Sequence, residues 1–320
     1  MKNFLRKVAK IYFISAGIIA TLLCLILYLA ISRYTPQTIT SEPIKEPVIV
    51  HLNLHGEIIE SRDNANPLSS LVNQYFNDSE KIYLSHLKKQ LEQMASDPLV
   101  KGIFLEISPM AGNLVSFEEL RKLFETFKEN SQKEIHAWFA NGDTKDYFLA
   151  SLADEIIMPP VADLTLFGPI FSLVYFGSTL KKIGVGVDLI KEGSYKSAGE
   201  AFIQNQMSPA SSRMYHSIER DIRENLIAQI AASRKNLSKE QIQKLFSTSL
   251  FNSQEALAIG AIDQTSYKFE AQEKFKKKLK AEIYTAEDYF AASKVTTEAD
   301  EKISDDGIAL IVAKGSIHSN

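Results

Sequence analysis

The chain is poorest in cysteine: Cys24 is alone among 320 residues and lies inside an apolar N-terminal run. An intramolecular disulfide is therefore excluded, and an oxidising compartment is neither required nor ruled out. Excess positive charge is also missing. The net charge is −3, and no basic stripe interleaved with aromatics is found, which argues against a nucleic-acid binder. No pair of histidines has metal-ligand spacing; His51 and His55 share one predicted strand edge and are expected to be solvated. Phosphate-binding motifs are missing too. Gly184-Val185-Gly186 lacks the third glycine of a dinucleotide loop, and there is no Walker sequence. No cofactor or metal is expected.

Charge is absent from one stretch, residues 11–32. These roughly 22 residues suffice to cross a hydrocarbon core as a helix. Lys2, Arg6, Lys7 and Lys10 precede the stretch, and only Arg33 closely succeeds it. The positive-inside rule then keeps residues 1–10 in the cytoplasm and exports the chain from Arg33 onward. A cleaved signal peptide is the competing reading. Its apolar core is shorter and ends in a small-residue site, which Leu29-Ala30-Ile31-Ser32 matches poorly. The expected organisation is a cytoplasmic end (1–10), a transmembrane anchor (11–32), a linker (33–46) with Pro36 and Pro43, and a folded unit (47–306).

What is present is ordinary globular material, 45% hydrophobic and 23% charged. Predicted helices alternate with predicted strands. A helix capped by Asp78 or Ser79 carries Leu84, Leu87, Leu91 and Met94 on one face and stops at Asp97-Pro98. Residues 100–107 read as a buried strand, with a turn over 108–113. The next helix carries Phe117, Leu120, Leu123, Phe124 and Phe127. Strands are expected at 134–140, 155–158 and 186–190, and short helices at 146–153 and 174–183. Ser208-Pro209 opens a long helix bearing Met214, Ile218, Ile222, Leu226 and Ile230. Short helices begin at Ser238 and Ser253, the second ended by Gly260. Residues 268–280 read as a charged, solvated stretch. The alternation predicts an α/β fold with a largely parallel sheet.

The end of the chain resembles the start of its folded part. Gly307–Ile317 and Val48–Ile58 are both apolar strands closing on polar-Gly-polar-Ile. A repeated first strand points to a duplicated protein, with residues 307–320 opening a second unit.

The segment with most chemical content is Lys191-Glu192-Gly193-Ser194-Tyr195-Lys196-Ser197-Ala198-Gly199-Glu200-Ala201-Phe202. It comes directly after a predicted strand, where α/β proteins place their sites. A lysine becomes a general base only if burial or nearby positive charge lowers its pKa toward neutrality. Tyr195 and Phe202 could wall such a site, and Ser197 could orient the amine. On spacing alone, Lys196 could equally be one solvated loop lysine among 36 Lys and Arg.

Tyr195-Lys196-Ser197-Ala198, the Glu200/Phe202 pair and Met207-Ser208-Pro209-Ala210 resemble the signal peptide peptidase A (protease IV) family of the long, duplicated type. The likeness extends over VKGIFLEIS (100–108), YFLASLADEIIMPP (147–160), LFGP (166–169) and the stretch from Ser253 to Asp263. It implies a crotonase/ClpP-like fold of repeated β-β-α units. It implies a Ser-Lys dyad in which this unit contributes Lys196 as general base and a C-terminal unit contributes the serine and the oxyanion hole. It further implies a bacterial inner-membrane enzyme with a periplasmic main domain, assembled as a homotetramer. The substrates would be signal peptides and unfolded apolar segments.

Two departures stand out. Where the family's active unit has Ser-Pro-Gly-Gly, this chain has Ser108-Pro109-Met110-Ala111-Gly112. Where it has Ser-Gly-Gly-Tyr, this chain has Thr144-Lys145-Asp146-Tyr147. Bare backbone N–H groups must approach the attacked carbonyl, so the missing glycines matter. Ala201 also replaces a family proline. Thr144, Ser151 and Ser197 are the remaining candidate nucleophiles. The serine could come from a separately encoded C-terminal unit. The alternatives are a catalytically inactive membrane-anchored scaffold or truncated relic, and a crotonase-like enzyme acting on CoA esters. An exported domain argues against the last.

Overall fold

The computed structural model describes residues 44–60 and 81–293, together with positions 17, 21, 22 and 25. Those four positions are helical. The apolar run 11–32 otherwise lies outside the described residues, as do Asp78, Ser79 and the terminal strand at 307–317. Among the described residues no helix is long and apolar enough to cross a membrane. Residues 44–290 form one compact unit.

That unit is built on β1 (Val48–Ile59), whose apolar side chains serve both faces. Val48, Val50, Leu52 and Leu54 enter the main core, while Ile49 enters a second, smaller one. A strand buried on both sides is what a parallel sheet demands. β2 (Lys81–Tyr83), β3 (Val100–Ala111), β4 (Glu134–Trp138), β5 (Glu155–Met158), β8 (Gln264–Thr265) and β9 (Glu282–Thr285) complete it. Among the described residues the order is β2-β1-β3-β4-β5-β8, with β9 on the other stretch of β1, and every pairing is parallel. The expected α/β fold with a mostly parallel sheet is present. A small antiparallel pair joins β6 (Asp163–Thr165) to β7 (Leu250–Asn252).

Helices cover the sheet through the predicted faces. α1 (Leu84–Ser96) buries Leu84, Leu87, Leu91 and Met94. It begins later than expected, because Lys81–Tyr83 is drawn into the sheet beside β1. Its N-cap is Tyr83, with no side-chain cap. α2 (Leu114–Ser131) is capped by Asn113, whose side chain accepts from Ser116 N. α3 (Thr144–Ala150) starts with a capping box between Asp143 and Asp146, and buries Tyr147 through Ala150.

Four other expectations are corrected. Residues 108–111 are not a turn: β3 continues through them, Met110 opposite Gly56 and Ala111 opposite Glu57. The register shifts just before Gly56, whose φ of 89° suits a bulge. Residues 268–280 are not merely solvated. They form α9 (Lys268–Leu279), whose Ala271 and Phe275 close the sheet's second face against Ile49, Phe104 and Ile157. His51 is not a solvated edge residue; its Nε2 lies 2.8 Å from Glu106 Oε2, and Lys268 Nζ lies 2.9 Å from the other oxygen. The His51 hydrogen bond is the main cause holding the Glu106 carboxyl below its ordinary range. The predicted strand at 186–190 does not form. Among the described residues they find no partner strand and no core, and Ile190 is 99% exposed.

α6 (Pro209–Ser233) starts at the expected Ser208 cap. Its later half packs on the core through Leu226, Ile227 and Ile230, its first turn buries Ala210 and Ser211, and Ile218 between them is exposed. α7 (Lys239–Thr248) is capped by Ser238, and α8 (Ser253–Ala258) by Asn252 rather than Ser253. Two arginines fasten α6. Arg121 on α2, 1% exposed, donates to Phe148 O and Ser151 Oγ on one side, and to Gln229 O and Ser233 Oγ on the other. Arg234, just past the helix end, forms a two-pronged pair with Asp263 at 2.7 and 2.8 Å. Asp263 in turn accepts from Ile156 N, tying the pair to β5. The Ala-x-Gly-Ala-Ile-Asp segment is thus a structural clasp.

Removing Arg121 strands acceptors at the end of α3 and on α6, each worth about 1–3 kcal/mol. Arg121→Met is expected to lower unfolding free energy by roughly 3 kcal/mol. Arg220→Met, at an exposed pair, is expected to stay within about 0.5 kcal/mol. Urea denaturation monitored by circular dichroism checks both.

Candidate active site

Between Leu166 and Ala210 the chain leaves the core as an arm. It contains α4 (Gly177–Lys182), shorter than the expected 174–183, and α5 (Glu200–Ile203). The segments around these helices carry exposed apolar side chains, including Val174, Phe176, Ile183 and Ile190. Phe176 N donates to Ala201 O and Gly177 N to Gln204 O, which fold the arm back on itself.

Lys196 sits in the irregular segment between these helices and is exposed. It lines an open depression of about 550 Å³ with Ile190, Lys191, Tyr195 and Ser197. Among the described residues its ammonium has no hydrogen-bond partner. The expected walls are not closed: Tyr195 and Phe202 are 59% and 50% exposed. Ser197 contributes its carbonyl, which accepts from Glu200 N at 2.9 Å, and not an orienting hydroxyl. The apolar enclosure a lysine base requires is therefore not built by this unit's described residues.

The structure brings four other groups together nearby. Glu200, 2% exposed, accepts from Lys191 Nζ (2.9 Å) and Ser208 Oγ (2.9 Å) on Oε1, and from Ser211 Oγ (2.7 Å) on Oε2. The Ser211 hydrogen bond, then Lys191, hold its carboxyl down at about 2. Sequence reasoning noticed Glu200 as part of a motif and assigned it no role. The available signal was two serines spaced three apart at a helix start, close after an acid.

None of the three candidate nucleophiles is poised. Thr144 Oγ1 donates to Phe167 O at 2.7 Å and accepts from Phe167 N at 2.8 Å, so it staples the root of the arm to α3. Ser151 is fully buried, accepting from Arg121 and donating to Phe148 O. Ser197 lies in the lysine's own loop. The place where an oxyanion loop would lie is also occupied. Residues 108–111 run in the β1–β3 ladder, and Lys145 Nζ reaches Gly112 O at 3.3 Å while lying 5.0 Å from the Phe117 ring centroid. Among the described residues no group of three or more His, Cys, Asp or Glu could hold a metal.

The fold is a parallel α/β sheet with a lysine-bearing arm, and the matches to known proteins support a serine-type peptidase. Residues 128–282 match peptidase family S49. The match runs from the end of α2 to the start of β9 and includes the lysine loop and Asp263. Among curated relatives it is similar to Protease 4 of Haemophilus influenzae, 26% identical over 60% of this chain and 31% of that protein. It is also similar to the chloroplastic serine protease SPPA of Arabidopsis thaliana, 23% identical over 62% and 29%. A putative signal peptide peptidase SppA of Enterococcus faecium is 22% identical over 80% and 72%. The chain thus spans about a third of the length of the first relatives it matches. The resemblance read from the lysine block agrees with these matches.

Asp146 gives this region a pH signature. Burial is the main cause raising its carboxyl to about 6. A carboxyl raised in the fold contributes stability that is complete below its unfolded value, near 4, and lost as pH rises through about 6. Asp146→Asn keeps an acceptor for Asp143 N and removes the titration. It is expected to raise Tm at pH 7.5 while changing it little at pH 4, as read by a thermal melt series across that range.

Proposed function

We propose that this chain is the lysine-bearing unit of a membrane-anchored serine endopeptidase that degrades cleaved signal peptides and other unfolded apolar segments. The observation that carries the reading is the lysine block itself. It lies inside the S49 match and stands exposed on an arm, where a second surface can complete it. Lys196 is the general base: as a neutral amine it accepts the serine Oγ proton while that oxygen attacks the peptide carbonyl. The serine and oxyanion donors come from a C-terminal, serine-bearing unit, encoded separately or in the same protein. Docking of that unit would supply the apolar cover that Tyr195 and Phe202 begin.

The finer features belong to the same proposal. The charge-free run 11–32 behind four basic residues supports a single-pass inner-membrane anchor, with a cytoplasmic N-terminus and a periplasmic main domain. The exposed apolar side chains of the arm support a homo-oligomer, a tetramer on the family's pattern. Main-sheet strand β5 is succeeded by short β6 before the next helix, in keeping with crotonase-like β-β-α repeats.

One observation favours a second reading. Thr144 and Lys145 are both engaged in structural contacts where the family's nucleophile region lies. On that reading the chain is a catalytically inactive, membrane-anchored scaffold.

Peptide hydrolysis by the full chain, alone and mixed with a serine-bearing unit, separates the two. The expected result is activity in the mixture only, falling roughly a hundred- to ten-thousandfold with Lys196→Ala. Full activity in the Lys196→Ala mixture would sink the peptidase role of this lysine. No activity in any mixture would leave the scaffold standing.

A further inference from the structure

Along the whole arm, from residue 167 to residue 209, the only buried side chain is a carboxylate, Glu200. An apolar anchor would be the ordinary choice. Burying a carboxylate is unfavourable unless its lone pairs are satisfied with directed donors. Here they are satisfied from two sides. Ser208 caps α6 and Ser211 lies in its first turn, and the later half of that helix is fastened to the core. Lys191 belongs to the loop that carries Lys196. Apolar packing tolerates sliding, whereas three directed bonds to one carboxylate specify position.

The loop between Lys191 and Glu200 is consequently closed at its base. The ion pair forms one fastening. The second is Leu189 against Gly199, where any Cβ would collide with the leucine side chain. Gly193, at φ 95°, turns the chain between them. Glu200 N to Ser197 O adds a backbone bond inside the loop. Lys196 stands within this closed loop, four residues before the carboxylate.

We propose that Glu200 is the positioning residue for Lys196: with Lys191, Ser208 and Ser211 it locks the base-bearing loop to the start of α6, presenting the amine in one place before any partner docks. The inference rests on Lys196 being the functional group of the loop. A pre-ordered loop lowers the ordering cost at assembly and keeps the amine aimed where the partner's serine arrives. Glu200 touches no substrate and acts only through the loop.

The test uses the full-length chain in detergent micelles, with Glu200→Gln and Lys191→Met as variants. Two quantities are read: amide hydrogen exchange, and the rate of amine acetylation at Lys196 at one fixed pH, with Lys181 and Lys182 as internal controls. The expected result is roughly tenfold faster exchange across 191–199 in Glu200→Gln. A smaller rise is expected in Lys191→Met, which removes only an exposed partner and decides the matter if Glu200→Gln does not fold. Exchange in β1, β3 and β4 stays unchanged. The Lys196 acetylation rate changes while the control lysines keep theirs. Unchanged exchange and acetylation in both variants would overturn the proposal. So would a parallel rise in the core strands, which would make Glu200 a general stabiliser. Neither readout needs peptidase activity, so a failure here is distinct from a failure of the Lys196→Ala experiment.

Discussion

The guanidinium of Arg121 must find its hydrogen bonds away from water, and two further helices converge on α2 to supply them. α2 carries it, α3 offers Phe148 O and Ser151 Oγ, and α6 offers Gln229 O and Ser233 Oγ. A buried charge is tolerable only when fully partnered, so the relative placement of these helices is set within narrow limits. The Arg234–Asp263 clasp does the same for the end of α6 against β5. Together they hold the later half of α6 on the core, while its earlier half leads outward to the arm. Where Lys196 can stand is decided by this fastening.

The polar interactions separate into two kinds. Inside the core unit they close off chemistry. Thr144 is used to hold Phe167, Ser151 to satisfy Arg121, and Lys145 to reach Gly112 O. Out on the arm they hold chemistry open. Glu200 draws in Lys191 and two serines, and leaves Lys196 without a partner among the described residues. Among the described residues no hydroxyl is hydrogen-bonded to Lys196, and the lysine is presented outward.

Much of the fold was legible because burial has a period. The Leu84–Met94 stripe, the Phe117–Phe127 stripe and the strands at 100–107 and 155–158 appear in the core as expected. The errors share a physical cause, which is that long-range pairing overrides local preference. Ser108-Pro109 reads as a turn, yet β1 is long enough to pair past it. Residues 186–190 read as a strand, yet they pair with no other strand among the described residues. Residues 268–280 read as solvated because lysines dominate, yet Ala271 and Phe275 suffice to cover a small second core. In the site, Lys196 was legible through its neighbours in sequence, and Glu200 was visible without a function.

The sequence by itself determined the class of fold, the helix faces and the identity of the lysine block, because apolar period, capping residues and a dense local motif are all short-range information. Tertiary structure alone decided that Lys196 lies on an exposed arm, that Thr144 and Ser151 are occupied, and that Glu200 is buried. Each of these depends on which distant backbone or side chain arrives alongside. Phe167 meets Thr144, Arg121 meets Ser151, and Ser208 and Ser211 meet Glu200 only after the sheet has formed and α6 has been fastened to it.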